Sequence, residues 1–339
     1  MIDLRSDTVT KPTEEMLAYM FQAEVGDDVF SEDPSILALE KKTAAIFGKE
    51  AGIFCPSGTM TNQIGIKVLS DPPGEIICDE LAHIYQYEGG GISFNSGLSV
   101  KLLHGDRGRL NAAMIEAAIN PDDVHKPTTQ IVSVENTCNK GGGSIYRYED
   151  LSEIAALAKK HGLAYHLDGA RIFNALTEAD YTALQVGSLF DTISICMSKG
   201  LGCPVGSVLI GSSEHIVKAR RIRKVLGGGM RQAGYLAAAA IYALDHHIDR
   251  LKEDHIRAKK IAELLTERNY VEDVMPVETN VVVFKLTDGL DLTKFLINLE
   301  ENGIKAVAFG PQLVRFVTHL NISDDDLTQL EEGLKHIRI

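Results

Sequence analysis

The chain predicts an α/β fold: a mostly parallel sheet flanked by helices, followed by a smaller C-terminal α/β unit. Three observations carry that expectation. Short apolar runs rich in Val and Ile, bounded by Gly or charged residues, recur from about residue 35 onward and read as buried strands. Segments with helical spacing separate them, the rhythm of strand–helix–strand crossovers. Several runs end abruptly in a polar or charged side chain, as a strand does on reaching the edge of a covered sheet.

Taken in order, Ile36 to Phe47 has helical spacing and stops at Gly48. Ala51–Cys55 is a short strand that runs through Pro56-Ser57-Gly58-Thr59 into a helix. Glu75–Cys78, Ser99–His104 and Gln130–Glu135 are further strands. Glu149 to His161 is an amphipathic helix, followed by strands at Leu163–Leu167, at Asp191 to Cys196 before Lys199, and at Gly206–Gly211. Helices around residues 213–225 and 232–268 lead out of this unit. Asn280–Phe284, a helix over Asp291–Asn302 and the strand Leu313–Val317 form the smaller one, so residues 1–250 and 251–339 are the expected domains.

Composition bounds the function. The chain has 339 residues and a formal charge of −13, so neither a nucleic acid nor an anionic membrane is an expected partner. The five cysteines lack metal-ligand spacing, which predicts reduced thiols, no structural metal and a cytoplasmic setting. The chain is polar from residue 3, so no secretory signal is expected, and no apolar run approaches a membrane span.

The chemistry centres on two strand ends. Lys199 closes the segment Asp191-Thr-Ile-Ser-Ile-Cys-Met-Ser-Lys199, and Asp168 closes His166-Leu-Asp168-Gly-Ala-Arg171. A lysine leaving a buried strand is expected to lose its proton readily and act as a carbonyl-trapping amine. A carboxylate at a neighbouring strand end suits a protonated pyridine nitrogen. Together they predict pyridoxal 5'-phosphate (PLP), with Lys199 as the Schiff-base residue. In such sheets ligands sit beyond the strands' carboxyl ends, where Ser57, Glu135, Asp168 and Lys199 all fall. Ser57, Gly58 and Thr59 open a helix and read as a phosphate cup or as a plain cap. His83 stacks on a flat ring or is simply held in its loop, and His125 and His104 are weaker candidates of the same kind. Gly227-Gly-Gly229-Met-Arg231, with Lys224 upstream, is a hinge or a close approach to phosphate. Arg315 interrupts an apolar strand, as a carboxylate anchor would.

These segments resemble one family over essentially the whole chain. Ile2-Asp-Leu-Arg-Ser6-Asp-Thr-Val-Thr, Gly26-Asp-Asp-Val, Pro56-Ser-Gly-Thr-Met-Thr-Asn62, His166-Leu-Asp-Gly-Ala-Arg171, Ser198-Lys199-Gly, Gly227-Gly-Gly-Met-Arg-Gln-Ala-Gly234 and Val317-Thr-His319 occur in the order found in low-specificity L-threonine aldolases. The resemblance implies a PLP-dependent transferase-like fold (fold type I) and cleavage of L-threonine and L-allo-threonine to glycine and acetaldehyde. Elimination at Cβ, or aldol cleavage of other β-hydroxy amino acids such as phenylserine, is the alternative. It further implies a homotetramer, a dimer of dimers with shared active sites. On this resemblance Lys199 is the Schiff-base lysine, and Asp168 partners the ring nitrogen. Arg171 serves both the ring's phenolate side and the substrate carboxylate. Gly58 and Thr59 cradle the phosphate, with Lys224 and Arg231 approaching from a partner subunit. Ser6 and Arg315 grip the carboxylate, His83 stacks on the ring, and Tyr87 and His125 read the β-hydroxyl. His83 and His125 both remain candidates for its base. One departure is Cys138, which stands where the resemblance leads one to expect histidine.

Overall fold

The computed structural model describes residues 1–337 and is built around a seven-stranded sheet. In spatial order its strands are Ala51–Cys55, Ser207–Gly211, Thr192–Cys196, Ala164–Asp168, Thr129–Glu135, Gly74–Asp79 and Leu98–Leu103. Ser207–Gly211 is antiparallel to both neighbours, and the other six point the same way. Their carboxyl ends therefore meet along one edge. Successive strand residues face opposite sides. Ile53, Ile76, Cys78, Ile131 and Leu209 pack on one face. Phe54, Ile77, Val132, Val134, Val208 and Ile210 pack on the other. Both faces are covered by helices, which explains runs that are apolar throughout.

Local signals set the helix ends. Asp33 caps the helix Pro34–Ile46, with proline in its first turn. The helix Tyr148–His161 carries Glu149 and Asp150 in its first turn and Lys159, Lys160 and His161 in its last, matching its dipole. Gly162 ends it at φ 67°, and Leu163 N–H bonds back to the Ala158 carbonyl at 2.8 Å. That bond assigns Leu163 to the helix cap, so the following strand starts one residue later than expected, at Ala164. The single helix expected over 232–268 is two, Gly234–His246 and Leu251–Thr266. The chain turns between them where buried His247 is fastened to the Leu201 carbonyl at 2.7 Å.

The second unit is an antiparallel sheet in the order Val307–Gly310, Leu313–Val317, Val281–Leu286, Val271–Val274. It has a core of its own, including Ile261, Leu265, Phe284, Phe316 and Leu330. Ile2 and Leu4 belong to that core, and Ile2–Asp3 pairs in parallel with Ile304–Lys305. The first residues are thus anchored on the small unit. The next ones, Ser6 and Asp7, are carried into the gap facing the large sheet.

Candidate active site

Along the carboxyl edge of the sheet lies a cleft of about 320 Å³, walled by both units. The large unit supplies His83, Glu135, Arg171 and Lys199, and the small one Val307, Phe309 and Arg315, with Ser6 from the N-terminal segment.

Lys199 follows the strand Thr192–Cys196, and its Nζ lies 3.3 Å from Cys196 Sγ. Burial pulls its pKa down, but Cys196, Asp168 and Asp7 outweigh burial and Arg171, so the net direction is upward. The sequence shows the burial, and the acidic neighbours act against it. Asp168 accepts from Ala170 N–H at 3.1 Å and from Asn62 Nδ2 at 2.9 Å. The orientation of Asn62 has an identifiable cause. His166 is fully buried, and desolvation drives its pKa down to about 4, so it is neutral. Its Nε2 meets Asn62 Oδ1 at 3.2 Å and its Nδ1 meets Thr192 Oγ1 at 2.8 Å. With its oxygen engaged by His166, Asn62 turns its amide hydrogens to Asp168 and to Glu88, 2.8 Å away.

Ser57 caps the helix Gly58–Leu69, its hydroxyl accepting from Met60 N–H at 3.2 Å. The next two N–H groups, of Gly58 and Thr59, belong to the unsatisfied first turn and can donate to an anion. Gly58 is required here, since a Cβ on it would lie 2.5 Å from Cys196 Sγ.

Two guanidinium groups converge on one oxygen. Arg171 Nη1 and Arg315 Nη1 reach Asn139 Oδ1 at 3.3 and 3.1 Å. Arg171 is neutralised by fully buried Asp7, which receives its Nε and Nη2 at 2.7 Å each. Among the described residues Arg315 has no carboxylate partner. Burial, followed by repulsion from Arg171, pulls its pKa down to about 10, and its Nε is buried without an acceptor. The pair is an electrostatic socket for a small carboxylate. Asp7 takes the Nε hydrogen and one Nη2 hydrogen of Arg171, and Nη1 is turned toward Asn139.

His83 opens the short helix His83–Gln86, its ring 5.5 Å from that of Tyr87. Its Nδ1 lies 3.0 Å from Glu88 Oε1, and its N–H donates to Glu135 Oε2 at 2.9 Å. Glu135 is buried at the end of its strand, and desolvation followed by Asp168 pushes its carboxyl up to about 7.

Of the residues singled out in the sequence, Lys199, His83, Tyr87, Arg171, Arg315 and Ser6 line the cleft, with Asp168 beneath it and Ser57–Thr59 at its sheet edge. The chain does not bring His125, Lys224 or Arg231 there. His125 is exposed on the loop entering the amino end of the strand Thr129–Glu135, paired with Asp123 of its own turn at 2.8 Å. Lys224 is exposed, and Arg231 pairs with Asp27 at 2.9 Å. The close approach of the glycine run is to its own chain, where a Cβ on Gly228 would lie 2.2 Å from Met60 Sδ. His104 pairs with Glu80 on the surface at 2.6 Å. Cys138 is buried, its thiol 2.9 Å from the Glu135 carbonyl, and does not line the cleft. Sequence reasoning missed Asp7, Glu88 and Asn139. Asp7 beside Ser6 and Asn62 within the helix after Thr59 were both legible as motif residues, but not as parts of this network.

The arrangement can therefore bind a phosphate at a helix start, pair a cationic ring nitrogen with Asp168, engage an aldehyde at Lys199 and seat a carboxylate between two arginines. A family model described as beta-eliminating lyase matches residues 3–288. Low-specificity L-threonine aldolase 1 of Arabidopsis thaliana is 42% identical over 333 residues, covering 96% of this chain and 93% of that one. The low specificity L-threonine aldolase of Escherichia coli K12 is 39% identical over 339 residues, covering 97% of both. Among solved structures, a threonine aldolase of Leishmania major superposes with a TM-score of 0.86 at 22% identity over 99% of both chains, a likeness of fold.

Proposed function

This chain belongs to the beta-eliminating lyase family, among the low-specificity L-threonine aldolases, and from that premise we propose that it cleaves L-allo-threonine and L-threonine to glycine and acetaldehyde with PLP. The observation that carries the reading is the convergence of Lys199, Asp168 and the Arg171–Arg315 socket on one cleft between the two units.

The residues present fit the cofactor. The open N–H groups of Gly58 and Thr59 suit its phosphate, Asp168 its ring nitrogen, Lys199 its aldehyde and the His83 imidazole its ring face. When bound, PLP supplies a carbonyl for the substrate amine and a sink for the electron pair left at Cα as Cα–Cβ breaks. The protein supplies the rest. Asp168, held by Asn62 and Ala170, keeps a proton on the ring nitrogen. Arg171 Nη1, Arg315 and Ser6 take the substrate carboxylate, fixing which Cα bond stands across the ring. A base must remove the β-hydroxyl proton. His83 lines the cleft, which supports giving it that step. His125, exposed on a loop, lies outside this chain's own cleft.

We further propose a homotetramer, a dimer of dimers, in which Lys224, Arg231 and His125 complete a neighbour's site. Their exposure on the single chain supports this. The cytoplasm is the compartment we assign, on the support of five free, buried thiols. Among the described residues no helix is long and apolar enough to cross a membrane.

The test is to incubate the PLP-loaded protein with each substrate, following acetaldehyde by an NADH-coupled alcohol dehydrogenase and glycine by chromatography. Both products should appear in equal amounts, with the D-isomers inert. A 2-oxo acid with ammonia would assign the elimination chemistry named in the family's description instead.

A further inference from the structure

A carboxylate in this site has no structural reason to be there. Glu88 has a fully buried side chain, and among the described residues its ion-pair partner is His83. Burying an acid away from arginine or lysine is costly and gains little stability. Yet three donors are aimed at it: Asn62 Nδ2 at 2.8 Å and His83 Nδ1 at 3.0 Å to one oxygen, Gln63 Nε2 at 2.6 Å to the other. The following turn, with Gly89 at φ 62° and Gly90 at φ 75°, folds this short segment back on itself. Gly91 leaves room for Gln63, whose amide would lie 2.6 Å from a Cβ there.

We propose that Glu88 is a positioning residue of this site, holding His83 as the tautomer with its proton on Nδ1 and steadying Asp168 through their shared donor, Asn62. A carboxylate accepts, so the ring nitrogen facing it carries the hydrogen, and Nε2 is left as the acceptor on the cleft side. Asn62 donates to Glu88 and Asp168 together, so the acid that orients the histidine and the acid beneath the ring nitrogen are linked through one amide. Carboxylates of Glu88, Asp168 and Glu135 all face the His83 ring. Burial lowers its pKa, but the Glu88 hydrogen bond and these charges outweigh that, so the net direction is upward. Lys199 and Arg171 share the cleft with it. What Nε2 does there, accepting the β-hydroxyl proton, rests on the aldolase reading; the tautomer does not.

The experiment uses PLP-loaded enzyme labelled with ¹⁵N-histidine, His83 being assigned by its absence from a His83→Asn spectrum. In the wild type the neutral ring should be Nδ1–H and titrate above the ordinary 6.5. In Glu88→Gln the Nε2–H tautomer should gain population and the titration should move down. The acid limb of the kcat profile should move down with it. The value of kcat should fall about tenfold to a hundredfold, the scale on which loss of a histidine's orienting partner is felt. KM and the visible spectrum should stay near wild type. Glu88→Asp, which keeps the charge, should lie between the two. An Nε2–H tautomer in the wild type overturns the proposal without any variant. So does a His83 titration and tautomer unmoved by Glu88→Gln, or an Asp variant more impaired than Gln. If the His83 signals respond as expected while the wild type releases no acetaldehyde, the aldolase reading fails and the positioning role stands.

Discussion

Asp7→Asn removes one negative charge from a place where three cations depend on it. Arg171 is buried and donates to Asp7 twice at 2.7 Å, and Asn280 donates a third bond at 3.3 Å. Arg315 lies against the same arginine, and Lys199 is held charged partly by Asp7. An asparagine keeps the shape but turns either an amide hydrogen or a single neutral oxygen toward the guanidinium. Breaking a buried pair by removing one partner costs about 3–5 kcal/mol, because the other charge remains buried. Arg171, with a second arginine beside it, belongs at the upper part of that range. Urea unfolding of the cofactor-free protein at pH 7 should show the loss. Its pH dependence supplies a second check. The Arg171 charge and hydrogen bonds, opposing burial, hold the Asp7 carboxyl well below its ordinary 3.8. A depressed carboxyl contributes its stability in full above that ordinary value and loses it as pH falls toward the folded one. The difference between wild type and variant should therefore be flat from pH 5 to 8 and shrink below about 3.8. Adding Arg171→Gln to Asp7→Asn should recover much of the loss, since the stranded charge is then gone. A loss below about 1 kcal/mol, or simple additivity of the two substitutions, would refute the reasoning.

Arg315→Lys replaces a planar fork by a point charge, so KM for L-allo-threonine should rise about tenfold or more while the cofactor's absorbance is unchanged; an unaltered KM would remove Arg315 from the socket. Glu135 is raised to about 7, chiefly by burial, and a raised carboxyl is most favourable to the fold when protonated. Its contribution is thus complete below the ordinary 4.5 and lost as pH rises through about 7, so Glu135→Gln should flatten the stability profile across that window; calorimetry at several pH values reads this directly. Mixing the inactive variants Lys199→Ala and Arg231→Ala should restore part of the turnover through hybrid assemblies. No recovery despite proven hybrids would place Arg231 outside the shared site.

Much of the site was legible in the chain because its parts are strand ends. Asp168 and Lys199 each close an apolar run, and parallel pairing delivers such ends to one edge whatever the intervening loops do. Ser57-Gly-Thr59 was legible for the same reason, as a strand running into a capped helix. Contacts that depend on chain closure were not. Asp7 and Arg171 are 164 positions apart and meet because the N-terminus pairs with the small unit. Glu88 lies between Tyr87 and three glycines, the setting of an ordinary surface acid, and a fold-back turn makes it buried. The burial of Lys199 was visible in the pattern, whereas Asp168 and Asp7, which act against it, come from distant parts of the chain. His125 occupies a short polar loop whose destination lies outside its own chain's cleft, and no local pattern distinguishes that from a surface turn.

Lys199 is expected to be the residue that bonds the cofactor. This is tested by reducing the PLP-loaded protein with borohydride, digesting it and locating the phosphopyridoxyl group by mass spectrometry. One modified peptide, containing Lys199, is expected, and none in the Lys199→Ala protein. A modified peptide carrying any other lysine, or no modification of a protein that nonetheless releases acetaldehyde from L-allo-threonine, would contradict it.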